Sequence, residues 1–176
     1  MFNGNLSWGR SSEAQGLFVP LWWRSASVEK AAQIDDVVRD VTRPGVYAFE
    51  GRHDAHSNRS VLYIGSSQTL SQRIPQSFLT LSYQSSNDRW YFSDCWDVKV
   101  LYAEVVEEQQ ELIPHIERLL IVAHAPPFNN HAVRSPYEGP QNLIVMNCGE
   151  KRHLLPTLVA DYYQKNGWPE PPSDRP

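Results

Sequence analysis

The chain has 176 residues, 41% hydrophobic and 20% charged, with a net charge of −4, which suits one globular domain with a core of its own and excludes a membrane span or a long disordered polymer. Its two cysteines, Cys95 and Cys148, lie far apart with no Cys-x-x-Cys spacing, so neither a disulfide framework nor a zinc ribbon is indicated and a reducing cytoplasm is expected. Met1-Phe2-Asn3-Gly4-Asn5 lacks the charged lead and apolar run of a secretory signal, and the expected localisation is therefore cytoplasmic.

Leu17-Phe18-Val19-Pro20-Leu21-Trp22-Trp23 is apolar and β-prone, and Pro20 places it at an edge, as an N-terminal cover. With Ser27 as N-cap, the residues Val28, Ala31, Ile34, Val37, Val38 and Val41 recur at helical spacing until Arg43-Pro44 stops the helix. Val46–Glu50 and Ser60–Gly65 read as two antiparallel strands joined by a long loop from Gly51 to Arg59. Thr69 to Ile74 suggests a short helix that Pro75 ends, Phe78 to Asp94 an irregular excursion, and Trp96–Tyr102 a third strand.

Glu107 to Ala125 carries the main helix, with Leu112, Ile116, Leu119, Leu120 and Ala123 in one apolar arc and Glu117 at its border. Pro114 moves the regular part of that helix to its own neighbourhood. Leu143–Met146 reads as a last strand and Leu154–Lys165 as a closing helix, with a disordered tail over 169–176.

Five sequence features stand out beyond these elements. Gly45-Val46-Tyr47 and Tyr63-Ile64-Gly65 occupy successive strands, and Arg73 follows the second tyrosine by ten residues. Glu117 then lies on the main helix, and Pro126-Pro127-Phe128-Asn129 follows it. Either tripeptide alone is ordinary strand material. The ordered set over residues 43–131 resembles the GIY-YIG nuclease family.

The resemblance implies an α+β fold: a small, mainly antiparallel sheet with a three-stranded core, flanked by helices. The core would span 43–131, with an N-terminal extension over 1–42 and a C-terminal extension over 132–168. It implies an endonuclease that hydrolyses DNA phosphodiester bonds, of restriction or defence type, using Mg²⁺ or Mn²⁺. Glu117 would be the sole protein ligand of the metal, Tyr47 the general base, and Tyr63 the residue that orients water or phosphate. Arg73 would contact the nonbridging oxygens, and Asn129 would brace the active-site backbone.

The expected partner is double-stranded DNA, and one active site cuts one strand, so double-strand cleavage calls for a homodimer or two visits. The alternatives are a non-catalytic nucleic-acid-binding module on the same scaffold and an RNA nuclease. The net charge opposes a nucleic-acid partner, although residues 1–76 hold eight Lys/Arg against seven Asp/Glu and are the less acidic part.

Two departures from the family pattern matter. The turn after Arg73 reads Ile74-Pro75-Gln76-Ser77 and offers no histidine; His124, two turns beyond Glu117, is read as a surface residue. The long Gly51–Arg59 connection carries Arg52 and Arg59, which are expected to contact the duplex.

Overall fold

The computed structural model describes residues 16–28, 31–53, 56–83, 95–129 and 136–165. The tail over 169–176 and the stretch 84–94 lie outside the described residues. The elements in order are β1 (Leu17–Ser27), α1 (Ala31–Val38), β2 (Gly45–His53), β3 (His56–Ser67), α2 (Leu70–Tyr83) and β4 (Cys95–Glu104). A 3₁₀ turn (Glu107–Leu112), α3 (Ile113–His124), a second 3₁₀ turn (Pro127–Asn129), β5 (Leu143–Gly149), β6 (Thr157–Val159) and α4 (Ala160–Lys165) follow.

The protein is α+β, but its sheet is larger than the three-stranded core expected. Six strands run in the order β3-β2-β4-β1-β5-β6. β2 pairs antiparallel with both β3 and β4, whereas β1 pairs parallel with β5. The expected antiparallel unit is thus one half of a mixed sheet, and the two flanking segments supply the other half.

β1 is the hinge between the halves. Its first part, Leu17–Trp23, is in register with Leu143–Gly149 of β5, and its second part, Arg24–Ser27, with Lys99–Tyr102 of β4. Pro20 therefore sits where β1 has a ladder on one side only, so the edge reading holds locally while the strand as a whole is internal. The Gln109 side chain donates to the Phe18 carbonyl at 2.9 Å beside it. Ser27 is the last residue of β1 and not a helix cap; α1 begins only at Ala31.

Two cores lie on opposite faces of the sheet. On one, Val19, Leu21 and Trp23 of β1, Val46 and Ala48 of β2 and Val145 of β5 meet Ile116, Leu119 and Leu120 of α3. On the other, Tyr47 and Phe49 of β2 and Val98 and Val100 of β4 meet Ile34 and Val38 of α1 and Leu70 and Ile74 of α2. Because helices cover both faces of β2, its residues are buried without alternation from Gly45 to Gly51.

α2 passes through Pro75 and ends at Tyr83, against the expectation that Pro75 would stop it. The buried row Leu70, Ile74, Ser77 and Leu81 explains the difference, because one packed face outweighs a single missing N–H. α3 begins next to Pro114, as its sequence implies, and ends at Ala125 in the left-handed region, φ 46°. The closing helix is shorter than expected: Leu154 to Val159 form a turn and β6, where Leu158 packs into the first core. Among the described residues no helix is long and apolar enough to cross a membrane.

A buried polar clasp locks β1 to β5. Trp23 Nε1 donates to Asn147 Oδ1 at 2.8 Å, and Asn147 Nδ2 donates to the Leu155 carbonyl at 2.7 Å. Asn147→Ala leaves the buried Trp23 N–H without its acceptor and should cost about 1–3 kcal/mol. The urea midpoint of the variant measures this; a midpoint equal to that of wild type would show the clasp to be dispensable.

Candidate active site

The glycines of the two tripeptides are fixed by close approach. A Cβ on Gly45 would lie 2.2 Å from the Ala103 carbonyl, and one on Gly65 would lie 2.5 Å from Tyr47 Cζ and Oη. Tyr47 stands directly opposite Gly65 in the β2–β3 register, so its ring lies across the glycine. Phe49 stands opposite Tyr63, and the Tyr47 and Tyr63 ring centroids are 6.1 Å apart.

Tyr47 is completely buried, and its hydroxyl lies 2.6 Å from Ser77 Oγ on α2. It also hydrogen-bonds to Tyr63, which is only half-buried. Burial raises the Tyr47 pKa, the Tyr63 charge adds to this, and Ser77 and Arg73 oppose it. Burial raises Tyr63 as well; the bond to Tyr47 lowers it, Glu117 raises it and Arg73 lowers it.

Glu117 approaches from α3. Ser66, the residue after Gly65, donates its hydroxyl to Glu117 Oε2 at 2.5 Å. Burial pushes the Glu117 carboxyl above its ordinary value, and the Ser66 hydrogen bond and the charges of Arg73 and Arg118 pull it back. Arg73, exposed near the start of α2, thus acts electrostatically on both tyrosines and on the carboxylate. Its Nη1 donates to Gln76 Oε1 at 3.2 Å.

Asn129 completes the assembly. Its Oδ1 accepts the Ile64 N–H at 2.8 Å and its Nδ2 donates to the Ile64 carbonyl, also at 2.8 Å. This side chain mimics a neighbouring strand on the outer edge of β3. The two prolines before it carry the chain from α3 into the 3₁₀ turn that delivers it.

Tyr47, Tyr63, Arg73, Glu117 and Asn129 are therefore gathered around the Gly65 end of β3, drawn from β2, β3, α2, α3 and a turn. Ser66 and Ser77 join them and were not singled out from sequence; lying within the matched segments, they could have been found only by asking which hydroxyls would face the tyrosines and the acid. The residues present fit a hard divalent cation in donor type, since the Glu117 carboxylate supplies oxygen. Among the described residues no group of three or more His, Cys, Asp or Glu could hold a metal by itself, so water and phosphate oxygens would complete the shell.

Arg52 and Arg59 are placed differently from expectation. The Gly51–Arg59 connection is mostly strand, since β2 runs to His53 and β3 begins at His56, leaving only 54–55 outside the described residues. Arg59 turns inward and ion-pairs with Glu50 at 3.4 Å and with Asp97. Glu50 is fully buried and also faces His153 Nδ1 at 3.1 Å, so its charge requires that arginine. Arg52 stays half-exposed, 4.0 Å from Asp97. Arg59 is a structural cation here, and of the pair only Arg52 remains open to a ligand.

His124 is not the surface residue expected. Its Nδ1 bonds the Leu120 carbonyl at 2.8 Å and its Nε2 accepts the Leu155 N–H at 2.9 Å, tying α3 to the segment before β6. No protein-family model, curated protein or solved structure matches the chain.

Two outcomes follow from this geometry. Burial holds His124 below its ordinary pKa, with the Leu120 bond acting the other way. The unfolded chain therefore takes up a proton first: the stabilisation is complete above about pH 6.5 and is lost as pH falls towards the lowered folded value. The stability difference between wild type and His124→Phe, from urea midpoints, should shrink from about pH 7.5 to about pH 5.5. Asn129→Ala, which orphans both Ile64 groups, should cost about 2–4 kcal/mol; unchanged hydrogen exchange at Ile64 in that variant would refute the bracing role.

Proposed function

We propose that the protein is a metal-dependent endonuclease that hydrolyses phosphodiester bonds of DNA. The observation that carries this reading is the convergence of Tyr47, Tyr63, Arg73 and Glu117, separated by up to 70 residues in sequence, around one backbone end that Asn129 holds. A carboxylate, two phenols and an exposed guanidinium match the needs of in-line attack on phosphorus.

Glu117 would hold Mg²⁺ or Mn²⁺, which when bound supplies Lewis-acid polarisation of the scissile phosphate. Arg73, free of any carboxylate partner within ion-pair distance among the described residues, contacts the nonbridging oxygens and meets the charge that grows on them. Ser66 orients the carboxylate through its hydroxyl.

The phenols divide the remaining work. Tyr47 is fully buried with its hydroxyl on Ser77, whereas Tyr63 beside it is only half-buried. The general-base role expected of Tyr47 therefore passes to Tyr63, the less buried phenol. Both phenols lie above their ordinary values from burial. Only a small fraction is ionised at neutral pH, and the cleavage rate should climb with pH through the neutral range.

The test is supercoiled plasmid with Mg²⁺ or Mn²⁺, comparing wild type with Glu117→Ala, Tyr63→Phe and Tyr47→Phe. Nicking by wild type should fall at least about a hundredfold in Glu117→Ala and Tyr63→Phe, and less in Tyr47→Phe, in line with the ~10²–10⁴-fold worth of a positioned acid–base group. Binding without cutting of plasmid, single-stranded DNA or RNA would instead support a non-catalytic module, and cutting of RNA alone an RNA nuclease.

A further inference from the structure

The helices α1 and α2 cover one face of the β2–β3–β4 half of the sheet and leave the same face of β1 and β5 open. Phe18, Trp22 and Met146 there are 56%, 68% and 42% exposed. Where this open face meets the covered half lies a groove of about 180 Å³, lined by Trp22, Arg24, Arg43, Tyr102 and Glu104 among others.

Its composition is selective. Trp22 presents a flat aromatic surface to solvent, and Tyr102 lies beside it. Arg24 and Arg43 are both exposed, and neither forms an ion pair with a described residue. In a chain of net charge −4, two such arginines against one Glu104 make a local attractor for anions. An aromatic plate with two guanidinium groups is what a nucleotide with an unstacked base requires: the base stacks on the ring while phosphate meets the cations. Glu104 adds an acceptor for an exocyclic amino group and repels phosphate from its own side.

The groove also lies in line with the candidate active site. Tyr102 stands opposite Tyr47 on β2 and opposite Arg24 on β1, so one register row runs from the site to the groove. Glu104 stands opposite Gly45, two residues from Arg43. The row crosses β2, β4 and β1 at ~4.8 Å per strand, so the groove lies two strand spacings from the buried Tyr47 at the site.

We propose that this groove binds an unpaired nucleotide of the substrate strand, with its base on Trp22 and its phosphate on Arg24 and Arg43. The inference rests on the nuclease reading for its substrate, and it narrows that substrate to DNA with a single-stranded segment or a displaced base next to the cut.

The test is fluorescence anisotropy of a labelled single-stranded oligodeoxynucleotide of about 12 nucleotides, within the site sizes such surfaces cover, with full-length protein carrying Glu117→Ala to prevent cutting. Trp22→Ala should weaken binding about tenfold, and Trp22→Phe much less. Arg24→Ala with Arg43→Ala should weaken it further and reduce the slope of log K against log salt by about 0.7 per arginine. Phe18→Ala, on the same open face outside the groove, should change affinity by less than about twofold.

Equal losses in Phe18→Ala and Trp22→Ala, with sedimentation that depends on protein concentration, would overturn the proposal in favour of a contact between two copies of the chain. Affinity and salt slope untouched by all groove variants would overturn it too, even if Glu117-dependent nicking is intact and the nuclease reading stands. Groove-dependent binding in a wild-type protein that cuts nothing would support the groove while removing the nuclease reading.

Discussion

The candidate site depends on two hydrogen bonds from one amide side chain. β3 is the outermost strand of the sheet, so without Asn129 both backbone groups of Ile64 would lack a partner next to the packed end of α3. By satisfying them, Asn129 fixes the distance between the end of α3 and β3. Ser66 is two residues from Ile64 and Glu117 two turns before the end of α3, and the two meet at 2.5 Å beside the Asn129 bonds. The same constraint positions Gly65 under the ring of Tyr47.

Around that clasp the protein trades solvation for organisation. Burying the Tyr47 phenol suppresses its acidity, yet its hydroxyl keeps a partner in Ser77 and its ring packs beside that of Tyr63. Glu117 is likewise made a weaker acid by burial, and Arg73 offsets part of the effect at all three groups from an exposed position. A single exposed cation thus acts on three partly desolvated oxygens at once.

The local pattern made the site residues legible, while the sheet was only half visible. Tyr47, Tyr63, Arg73, Glu117 and Asn129 come together at one backbone end, whereas Arg52 and Arg59 lie apart, on Glu50 and Asp97. The role of β1 was hidden because Pro20 marks an edge correctly for its own position but says nothing of Arg24–Ser27, which pair elsewhere. Pro75 misled for a related reason: helix breaking is a local rule, and the packed row on α2 overrides it. The Gly51–Arg59 segment reads as a loop because it is polar. It forms strand because Glu50, buried inside the sheet, pulls Arg59 and His153 to itself, a long-range demand that no spacing reveals.

The position of β1 also dictates an order of events when the chain is made. Its parallel partner β5 lies 126 residues further along the chain in register, whereas the partners among β2, β3 and β4 are much closer in sequence. On a ribosome, the tyrosine half can close while β1 holds β4 with its second part and offers an unpaired apolar edge from Leu17 to Trp23 for the time needed to synthesise β5. That interval is when the nascent protein is most exposed to wrong strand pairing, and the arrival of Asn147 ends it.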